Sequence, residues 1–423
     1  MKLILDLIKQ HKMGRPVGIY SVCSAQPLVI EATLRHAKKS GGIALIESTS
    51  NQVNQFGGYT GMLPVDFREL VYRIAGEVDF PRENLVLGGD HLGPNCWQDL
   101  PSEEAMNRSD ELIRQYVLAG FRKIHLDCSM SCSGDPVPLN DAIVAKRAAR
   151  LCAVAEAAWH EAGGEPPVYI VGTEVPVPGG AQEDLHELQA TSPEAALATI
   201  EAHQQAFAQA GLDTVWPRVV GLVVQPGVEF DHHKVIDYQP TKAVSLSRMI
   251  ESQPTMVYEA HSTDYQTPAN LSQLVKDHFA ILKVGPGVTF ALREAVWALA
   301  CIEEEWLDEA TSSRIKHIVA TVMQENPKYW NKYYHSTDRQ LTIDLQYSLS
   351  DRIRYYWPFP AVEKAMEALL NNLSAKQPPL TLLSQYLPSQ YLAIRNGVIN
   401  YSPREILMHK IDEILGQYSS ACQ

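Results

Sequence analysis

The sequence lacks the patterns that mark several large classes of protein. It has no CxxC pair, and its seven cysteines are scattered along the chain, so neither a zinc-ribbon motif nor a disulfide framework is indicated. No apolar run reaches the roughly 18 residues that a membrane-spanning helix requires. The apolar stretch near the N-terminus is interrupted by Asp6 and Lys9, unlike a signal peptide. We therefore expect a cytoplasmic protein with reduced thiols.

Signatures of nucleotide and nucleic-acid binding are also missing. No GxGxxG follows the first predicted strand, and no Walker motif occurs, so neither a dinucleotide enzyme nor a kinase is indicated. The chain carries 36 basic against 49 acidic side chains, a formal net charge of −13. This balance argues against a nucleic-acid partner or an anionic membrane surface.

What the sequence does contain is a regular alternation of short β-branched runs with helical patterns. Because a helical crossover brings the next strand back in the same direction, this repeat predicts a parallel sheet. Eight units favour a closed (β/α)8 TIM barrel over an open doubly wound sheet, which is the alternative. The runs are Gly18–Ala25, Ile43–Thr49, Asn84–His91, Lys123–Ser129, Val168–Pro176, Val219–Pro226, Thr255–Asp264 and Ala280–Pro286.

The pattern changes after Phe290, where only helical periodicity remains. We predict a barrel over residues 1–307, with Ala291–Asp308 as its eighth helix, and a C-terminal helical extension over residues 308–423 that packs on the barrel. Two aromatic-rich segments of the extension, Arg352–Pro358 and Ser384–Leu392, suit packing against the barrel or against a partner chain.

Polar side chains end nearly every predicted strand, and in such a barrel these ends meet at one mouth. A single buried polar residue is commonly a satisfied structural group, whereas a full set favours a pocket for a polar ligand of the sugar-phosphate type. The set comprises Ser24, Glu47, Asn51, Gln52, Asp90, His91, Asp127, Glu174, Gln225, Glu229, Glu259, His261, Asp264 and Lys283.

Two motifs of this set suggest acid–base or metal chemistry. GGDHLGP places Asp90 beside His91, and YEAHSTD places Glu259 and His261 on one face of a strand. Such carboxylates and imidazoles suit one divalent ion, with Glu174 completing the shell. The alternative is that the two histidines only hydrogen-bond a sugar or a neighbouring carboxylate.

A third motif, KVGPG, follows the eighth strand, where barrels commonly cradle phosphate in backbone amides. Lys283 and Gly285 are therefore candidate phosphate contacts. Lys283 could instead pair with Glu259.

Long motifs across nearly the whole chain closely resemble the Z-type subunit of D-tagatose-1,6-bisphosphate aldolase. They are SNQVNQFGGYTGM (Ser50–Met62), GGDHLGPN (Gly88–Asn95), KIHLDCSMSC (Lys123–Cys132), GTEVPVPGG (Gly172–Gly180), VVQPGVEFDH (Val223–His232), YEAHSTDYQT (Tyr258–Thr267), DHFAILKVGP (Asp277–Pro286) and SDRIRYYWP (Ser350–Pro358).

The resemblance implies a class II aldolase-like barrel that is a non-catalytic, chaperone-like accessory subunit. It would stabilise a catalytic Y subunit, a zinc class II aldolase, and support its full activity in D-tagatose 6-phosphate degradation. The segment Val215–Arg218 is closer to the N-acetylgalactosamine-pathway type than to the galactitol type.

Compared with the class II pattern, the chain keeps some site residues and lacks others. Asp90 and His91 match the base and zinc ligand after strand three, and His261 matches the zinc ligand after strand seven. The histidine expected after strand six is replaced by Gln225 or Glu229, and Ser262–Asp264 replaces the phosphate loop. No cofactor is fixed by this pattern, and zinc at a degenerate site stays open.

An alternative to the accessory role is a stand-alone metal-dependent 4-epimerase or aldolase acting on a ketose or ketose phosphate. Its catalytic residues would be Asp90 and Glu174, with His91 and His261 as metal ligands.

Overall fold

A closed barrel of eight parallel strands forms the centre of the fold. The computed structural model describes residues 1–172 and 188–423. Each barrel strand lies within one of the predicted runs, except that the third extends one residue further, to Leu92. The predicted TIM barrel is therefore confirmed, and the open sheet is wrong. The strands pair in the order β1-β2-β3-β4-β5-β6-β9-β10 and back to β1. They are β1 (Ile19–Cys23), β2 (Ala44–Thr49), β3 (Leu85–Leu92), β4 (Lys123–Leu126), β5 (Val168–Val171), β6 (Val219–Val224), β9 (Val257–Ala260) and β10 (Ile281–Val284).

The barrel strands are apolar because both of their faces are covered, by helices outside and by side chains inside. Almost all of their residues are buried. A short antiparallel hairpin, β7 (Glu229–Phe230) with β8 (Val235–Ile236), is inserted after β6. Two-residue strands leave no periodic signal, and the sequence analysis did not predict them.

Helices α1–α15 surround the barrel and form the extension. Several begin at a proline in the first turn, and Ser192 and Thr267 cap their helices by accepting from the amides of Ala195 and Asn270. The helices are α1 (Lys2–Lys12), α2 (Pro27–Ser40), α3 (Pro64–Glu77), α4 (Ser102–Leu118), α5 (Asp141–Ala162), α6 (Pro193–Gln209), α7 (Pro240–Ile250), α8 (Pro268–Lys276), α9 (Pro286–Trp306), α10 (Ile315–Glu325), α11 (Asp338–Tyr347), α12 (Pro360–Ala375), α13 (Leu380–Tyr386), α14 (Pro388–Arg395) and α15 (Pro403–Ala421). Among the described residues, no helix is both long and apolar enough to span a bilayer.

The last helix of the chain lies in the outer layer of the barrel. Helix α15 packs between α2 and α8, which follow the first and seventh barrel strands, and it also contacts α9 and β1. In a TIM barrel this is the place of the eighth helix. Helix α9, which follows β10 directly, packs against α15 and the extension helices α10, α12 and α13, and its assignment as the eighth barrel helix stays a prediction. The boundary at residue 307 stays a prediction.

Candidate active site

The carboxyl ends of the barrel strands enclose a cavity of about 670 Å³, which includes its open side. Eight residues predicted for the mouth line it, and others lie beneath it. The lining residues of the predicted set are Asn51, Gln52, Asp90, His91, His261, Asp264, Lys283 and Gly285. Glu174 lies outside the described residues. The structure therefore brings residues from strands far apart in sequence to one opening.

Beneath the cavity, two lysines and three carboxylates form a buried network. Nζ of Lys123 lies 2.8 Å from Oε1 of Glu47 and 2.7 Å from Oε2 of Glu259. Nζ of Lys283 lies 3.0 Å from Oε2 of Glu47 and 3.2 Å from Oδ2 of Asp90. Burial disfavours charge on both lysines, but the carboxylates outweigh it and raise the pKa of Lys123 and of Lys283. The network is therefore charged, and Lys283 lies against carboxylates.

The imidazole of His91 is oriented by Asp127. Nδ1 of His91 donates to Oδ2 of Asp127 over 2.7 Å, which leaves Nε2 directed elsewhere. Burial favours the neutral ring, but the charge of Asp90 and the hydrogen bond to Asp127 raise the pKa of His91 to about 9. The backbone of His91 adopts a φ of 50°, in the left-handed region that non-glycine residues rarely occupy. This turn and a register shift after Gly89 let Asp90 and His91 both line the mouth, although β3 continues to Leu92.

Asp90 is ionised despite its burial. Burial alone would raise its pKa, but the charges of His91 and Lys283 hold the pKa of Asp90 well below the usual range. Its Oδ2 lies 3.8 Å from Nε2 of His91. Asp90 is therefore a proton acceptor at neutral pH.

His261 is held in the same way by Glu259. Nε2 of His261 donates to Oε1 of Glu259 over 2.7 Å, and burial lowers the pKa of His261. Its ring lies edge-on to that of His91, with centroids 5.0 Å apart. Among the described residues, no hydrogen bond engages Nδ1 of His261 or Nε2 of His91. Nε2 of His91 and Nδ1 of His261 are thus both left without a protein partner, each on a ring backed by a carboxylate.

His125, on β4, is a third imidazole of the cluster that the sequence analysis missed. Its Nε2 donates to the carbonyl of Gly172 over 3.0 Å, and its Nδ1 accepts from the backbone amide of His91. Oδ1 of Asp90 lies 3.1 Å from the same Nδ1. Lys123, His125 and Asp127 recur at period two along the predicted run Lys123–Ser129, and this alternation would have predicted that all three face inward.

The donor set fits a divalent metal ion. Asp90, His125, Glu259 and His261 have potential ligand atoms within 4.8 Å of one another. In that deeper group, however, both nitrogens of His125 already have hydrogen-bond partners. We favour the imidazoles of His91 and His261, which line the mouth beside Asp90. Histidine ligands characteristically donate their second N–H to a carboxylate, as both rings do here.

The amides expected to cradle phosphate are occupied by the chain's own carboxylate. Oδ1 of Asp264 accepts from the amides of Gly285, over 2.9 Å, and Gly287, over 2.8 Å, at the N-terminus of α9. A Cβ at Gly287 would lie 3.0 Å from this oxygen, so glycine provides the room for the contact. Burial raises the pKa of Asp264, although the two amide hydrogen bonds oppose the rise.

Two further predicted residues shape the loop after β6. Oε1 of Gln225 accepts from the amides of Gly227 and Val228 over 2.8 and 3.0 Å. Oε1 of Glu229 accepts from the amide of Phe230, and burial raises the pKa of Glu229 to about 7. The carboxylate of Glu229 also has a hydrogen bond to Ser262, which follows β9. A ligand role for Gln225 or Glu229 stays a prediction.

A model of the D-tagatose-1,6-bisphosphate aldolase subunit GatZ/KbaZ-like family matches residues 4–423. The chain belongs to this family. The resemblance found in the sequence motifs is thereby confirmed.

A crystal structure described as a probable tagatose 6 phosphate kinase from Sinorhizobium meliloti 1021 is similar to this GatZ/KbaZ-like chain. The two are 48% identical, the match covers 96% of this chain and 100% of the other, and the TM-score is 0.89. More remote are a fructuronate-tagaturonate epimerase, UxaE, from Cohnella laeviribosi, and a fructose-bisphosphate aldolase from Campylobacter jejuni. The epimerase is 13% identical over 96% of this chain and 81% of its own, with a TM-score of 0.48. The aldolase is 14% identical over 88% and 92%, with a TM-score of 0.43.

The C-terminal extension of this GatZ/KbaZ-like chain contributes to the mouth. Arg354 and Tyr355 line the cavity, and Nη2 of Arg354 donates to the hydroxyl of Tyr355 over 3.0 Å. The ring of Tyr355 stacks on Tyr329, with centroids 5.2 Å apart, and lies 4.6 Å from that of Tyr59. The sequence analysis expected only packing from this aromatic-rich segment, because nothing in its local pattern shows that it reaches the strand ends.

Proposed function

We propose that this chain is an enzyme, a metal-dependent ketose-phosphate 4-epimerase that breaks and reforms the C3–C4 bond of a ketohexose phosphate such as D-tagatose 6-phosphate. The observation that carries the proposal is the pair of imidazoles, His91 and His261, each held by a buried carboxylate beside the ionised Asp90. A purely structural chain gains little from such groups, because buried polar and charged side chains are costly unless each is paired.

His91 and His261, with Asp90 nearby, would hold a divalent ion. When bound there, it would supply Lewis-acid polarisation of the ketose carbonyl.

The protein side chains perform the proton transfers of the reaction. Asp90, kept ionised by His91 and Lys283, accepts the proton of the C4 hydroxyl. The C3–C4 bond then breaks: C4 becomes an aldehyde carbon, and the electron pair of the bond remains on the three-carbon enediolate. After the aldehyde rotates, the same electron pair adds to its opposite face, and Asp90 returns the proton to the C4 oxygen. D-Tagatose and D-fructose differ only at C4, so no oxidant or reductant is required.

A second proposal is the accessory role, and the family description supports it. In this role the chain is the non-catalytic, chaperone-like subunit that stabilises the catalytic Y subunit during D-tagatose 6-phosphate degradation on the N-acetylgalactosamine route in the cytoplasm. The family's description names an aldolase subunit, and the family model matches nearly the whole chain. A catalytic mouth and a subunit role are compatible within one protein, so the test must measure both.

The deciding experiment uses the purified chain alone and mixed with the Y subunit. Metal content is measured first, and each sample is then incubated with D-tagatose 6-phosphate, D-fructose 6-phosphate or D-tagatose 1,6-bisphosphate. We expect the lone chain to interconvert the two monophosphates, and His261→Ala to abolish this. His160→Ala, at an exposed histidine, is the matched control and should retain turnover.

A metal-loaded lone chain without turnover would refute the epimerase proposal. If that chain nevertheless lengthens the active half-life of the Y subunit, the accessory proposal is supported. An unchanged half-life would refute the accessory proposal.

A further inference from the structure

The N-terminus of α9, the usual phosphate position in this kind of barrel, has no free amides for a ligand. The amides of Gly285 and Gly287 donate to Asp264, Pro286 has no amide hydrogen, and the amide of Val288 donates back to the carbonyl of Gly285. A phosphate arriving here would meet a buried carboxylate, only 3% exposed, already bonded to the donors it needs. Repulsion between like charges in a buried site makes this position unfavourable for an anion.

The extension places a cation at the same end of the cavity. Arg354 lines the cavity together with Gly285 and Asp264. Its Nη1 donates to the backbone carbonyl of Asp351 over 3.2 Å and also to that of Ser350, so the guanidinium is fixed by uncharged acceptors.

Arg354 lacks an ion-pair partner in the part of the chain that the structure describes. No carboxylate oxygen in residues 1–172 or 188–423 lies within 4.0 Å of its guanidinium nitrogens, whereas the mouth lysine, Lys283, lies against Glu47 and Asp90. Asp351 and Asp264 act on the guanidinium of Arg354 only as nearby charges, without a direct ion pair. A half-buried guanidinium whose fork is not taken by a carboxylate is suited to an anionic ligand, because the fork geometry matches carboxylate and phosphate oxygens.

We infer that the mouth takes a ketose with a single anionic group bound by Arg354, and that Asp264 excludes a second phosphate from the N-terminus of α9. The inference rests on the proposed function only in taking the ligand to be a ketose. Arg354, which belongs to the C-terminal extension, would then determine which anionic ketoses the mouth binds. A ketose monophosphate or a ketohexuronate satisfies this chemistry, and a ketose bisphosphate does not.

The test measures equilibrium binding to the full-length chain by calorimetry, without requiring turnover. The probes are D-tagatose, D-tagatose 6-phosphate, D-tagatose 1,6-bisphosphate and the ketohexuronate of the same skeleton. We expect Arg354→Gln to weaken binding of the monophosphate by about 10-fold to 100-fold, the effect of losing hydrogen bonds to a charged group, and to leave D-tagatose unaffected. Comparing monophosphate and hexuronate shows which anion the arginine prefers.

A matched control is Arg395→Gln, because Arg395 also donates to a tyrosine hydroxyl, that of Tyr391, over 2.7 Å, but on the surface of the extension. It should change no affinity. Arg354→Lys keeps the charge and loses the fork, so its monophosphate affinity should fall between those of the parent and Arg354→Gln. It also keeps the test informative if Arg354→Gln is unstable. Asp264→Asn removes the negative charge at α9 and should strengthen bisphosphate binding relative to monophosphate binding.

Two results would overturn the inference: tighter binding of bisphosphate than of monophosphate by the parent chain, or an unchanged monophosphate affinity in both Arg354 variants. Binding that follows the expected pattern without any turnover would leave the inference standing and count against the epimerase proposal alone.

Discussion

Nδ1 of His91 donates a 2.7 Å hydrogen bond to Oδ2 of Asp127, and both side chains are buried. The two residues lie at the ends of neighbouring strands, β3 and β4. The bond fixes the orientation of the His91 ring and leaves Nε2 for the cavity. Asp127 therefore acts on the site through His91 and has no need to touch a ligand itself.

Substituting Asp127 should weaken metal binding without removing a ligand. Asp127→Asn keeps the size of the side chain but lets the amide present either a donor or an acceptor to His91, so the ring loses its fixed orientation. We expect zinc affinity to fall about 10-fold to 100-fold, the usual effect of losing a carboxylate behind a ligand histidine. Competitive chelator titration measures this. Asp135→Asn, in the same loop but paired with Arg147, is the control, and an equal loss in both variants would contradict the assignment.

The buried ion network should be sensitive to loss of its central cation. Lys123 is fully buried between Glu47 and Glu259, so Lys123→Met removes the ion-pair partner of Glu259 and leaves Lys283 as the one lysine for both carboxylates. We expect the free energy of unfolding to drop by about 3–5 kcal/mol, as for other broken buried pairs. Urea unfolding of this variant and of Lys242→Met, at an exposed lysine, gives the comparison.

Charge repulsion is separated from lost packing by a second substitution. In Lys123→Met/Glu259→Gln the carboxylate that loses its ion-pair partner is replaced by a neutral amide, so part of the lost stability should return. A double variant no more stable than the single one would show that packing, and not charge, accounts for the effect.

The barrel was predictable from sequence, because each strand is a local run of β-branched residues closed by polar or Gly/Pro residues. Part of the site was predictable for the same reason. Asp90, His91 and His261 come at or just after the ends of predicted strands, and this position alone predicts that they lie at the barrel mouth. Their roles depend on partners from other strands, such as Asp127 for His91, and these partners follow only from the closed topology.

Other features depend on contacts that local pattern does not encode. Lys123 is a charged residue inside a strand, and its burial is explicable only once Glu47 and Glu259 are known to face it. Several helices separate Arg354 from the last barrel strand in the sequence, and the aromatic residues beside it predict a packing role only. The helical periodicity of α15 predicts a helix but not its docking between α2 and α8.

A buried histidine outside the site should give the fold a weak acid sensitivity. His203 is fully buried in α6, and its Nδ1 donates to the carbonyl of Thr199 over 2.8 Å. Burial lowers the pKa of His203 from 6.5. In the range between the folded pKa and 6.5, the unfolded chain therefore binds more protons than the folded chain, and stability is lost as the pH falls through this range.

The variant His203→Leu should reduce this pH dependence, because it removes the group that takes up the proton. Urea midpoints at pH 7.5 and pH 5.5 measure the effect, and the gap between them should be narrower in the variant than in the parent. His160→Gln, at an exposed position, should keep the parental gap. An identical gap in His203→Leu would assign the acid sensitivity to other groups.

The docking of α15 in the barrel's outer layer predicts that its buried face supports the whole fold. Leu415 is completely buried in this helix, whereas Leu392 in α14 is 56% exposed. We expect Leu415→Ala to lower the free energy of unfolding by about 2–5 kcal/mol, the cost of a core cavity, and Leu392→Ala to change it by less than about 0.5 kcal/mol. Denaturant unfolding followed by both near-ultraviolet and far-ultraviolet circular dichroism tests this. Because α15 contacts β1, α2 and α8, the barrel and the extension should unfold in one transition in Leu415→Ala, and an early loss of the extension alone would contradict the integral role of the helix.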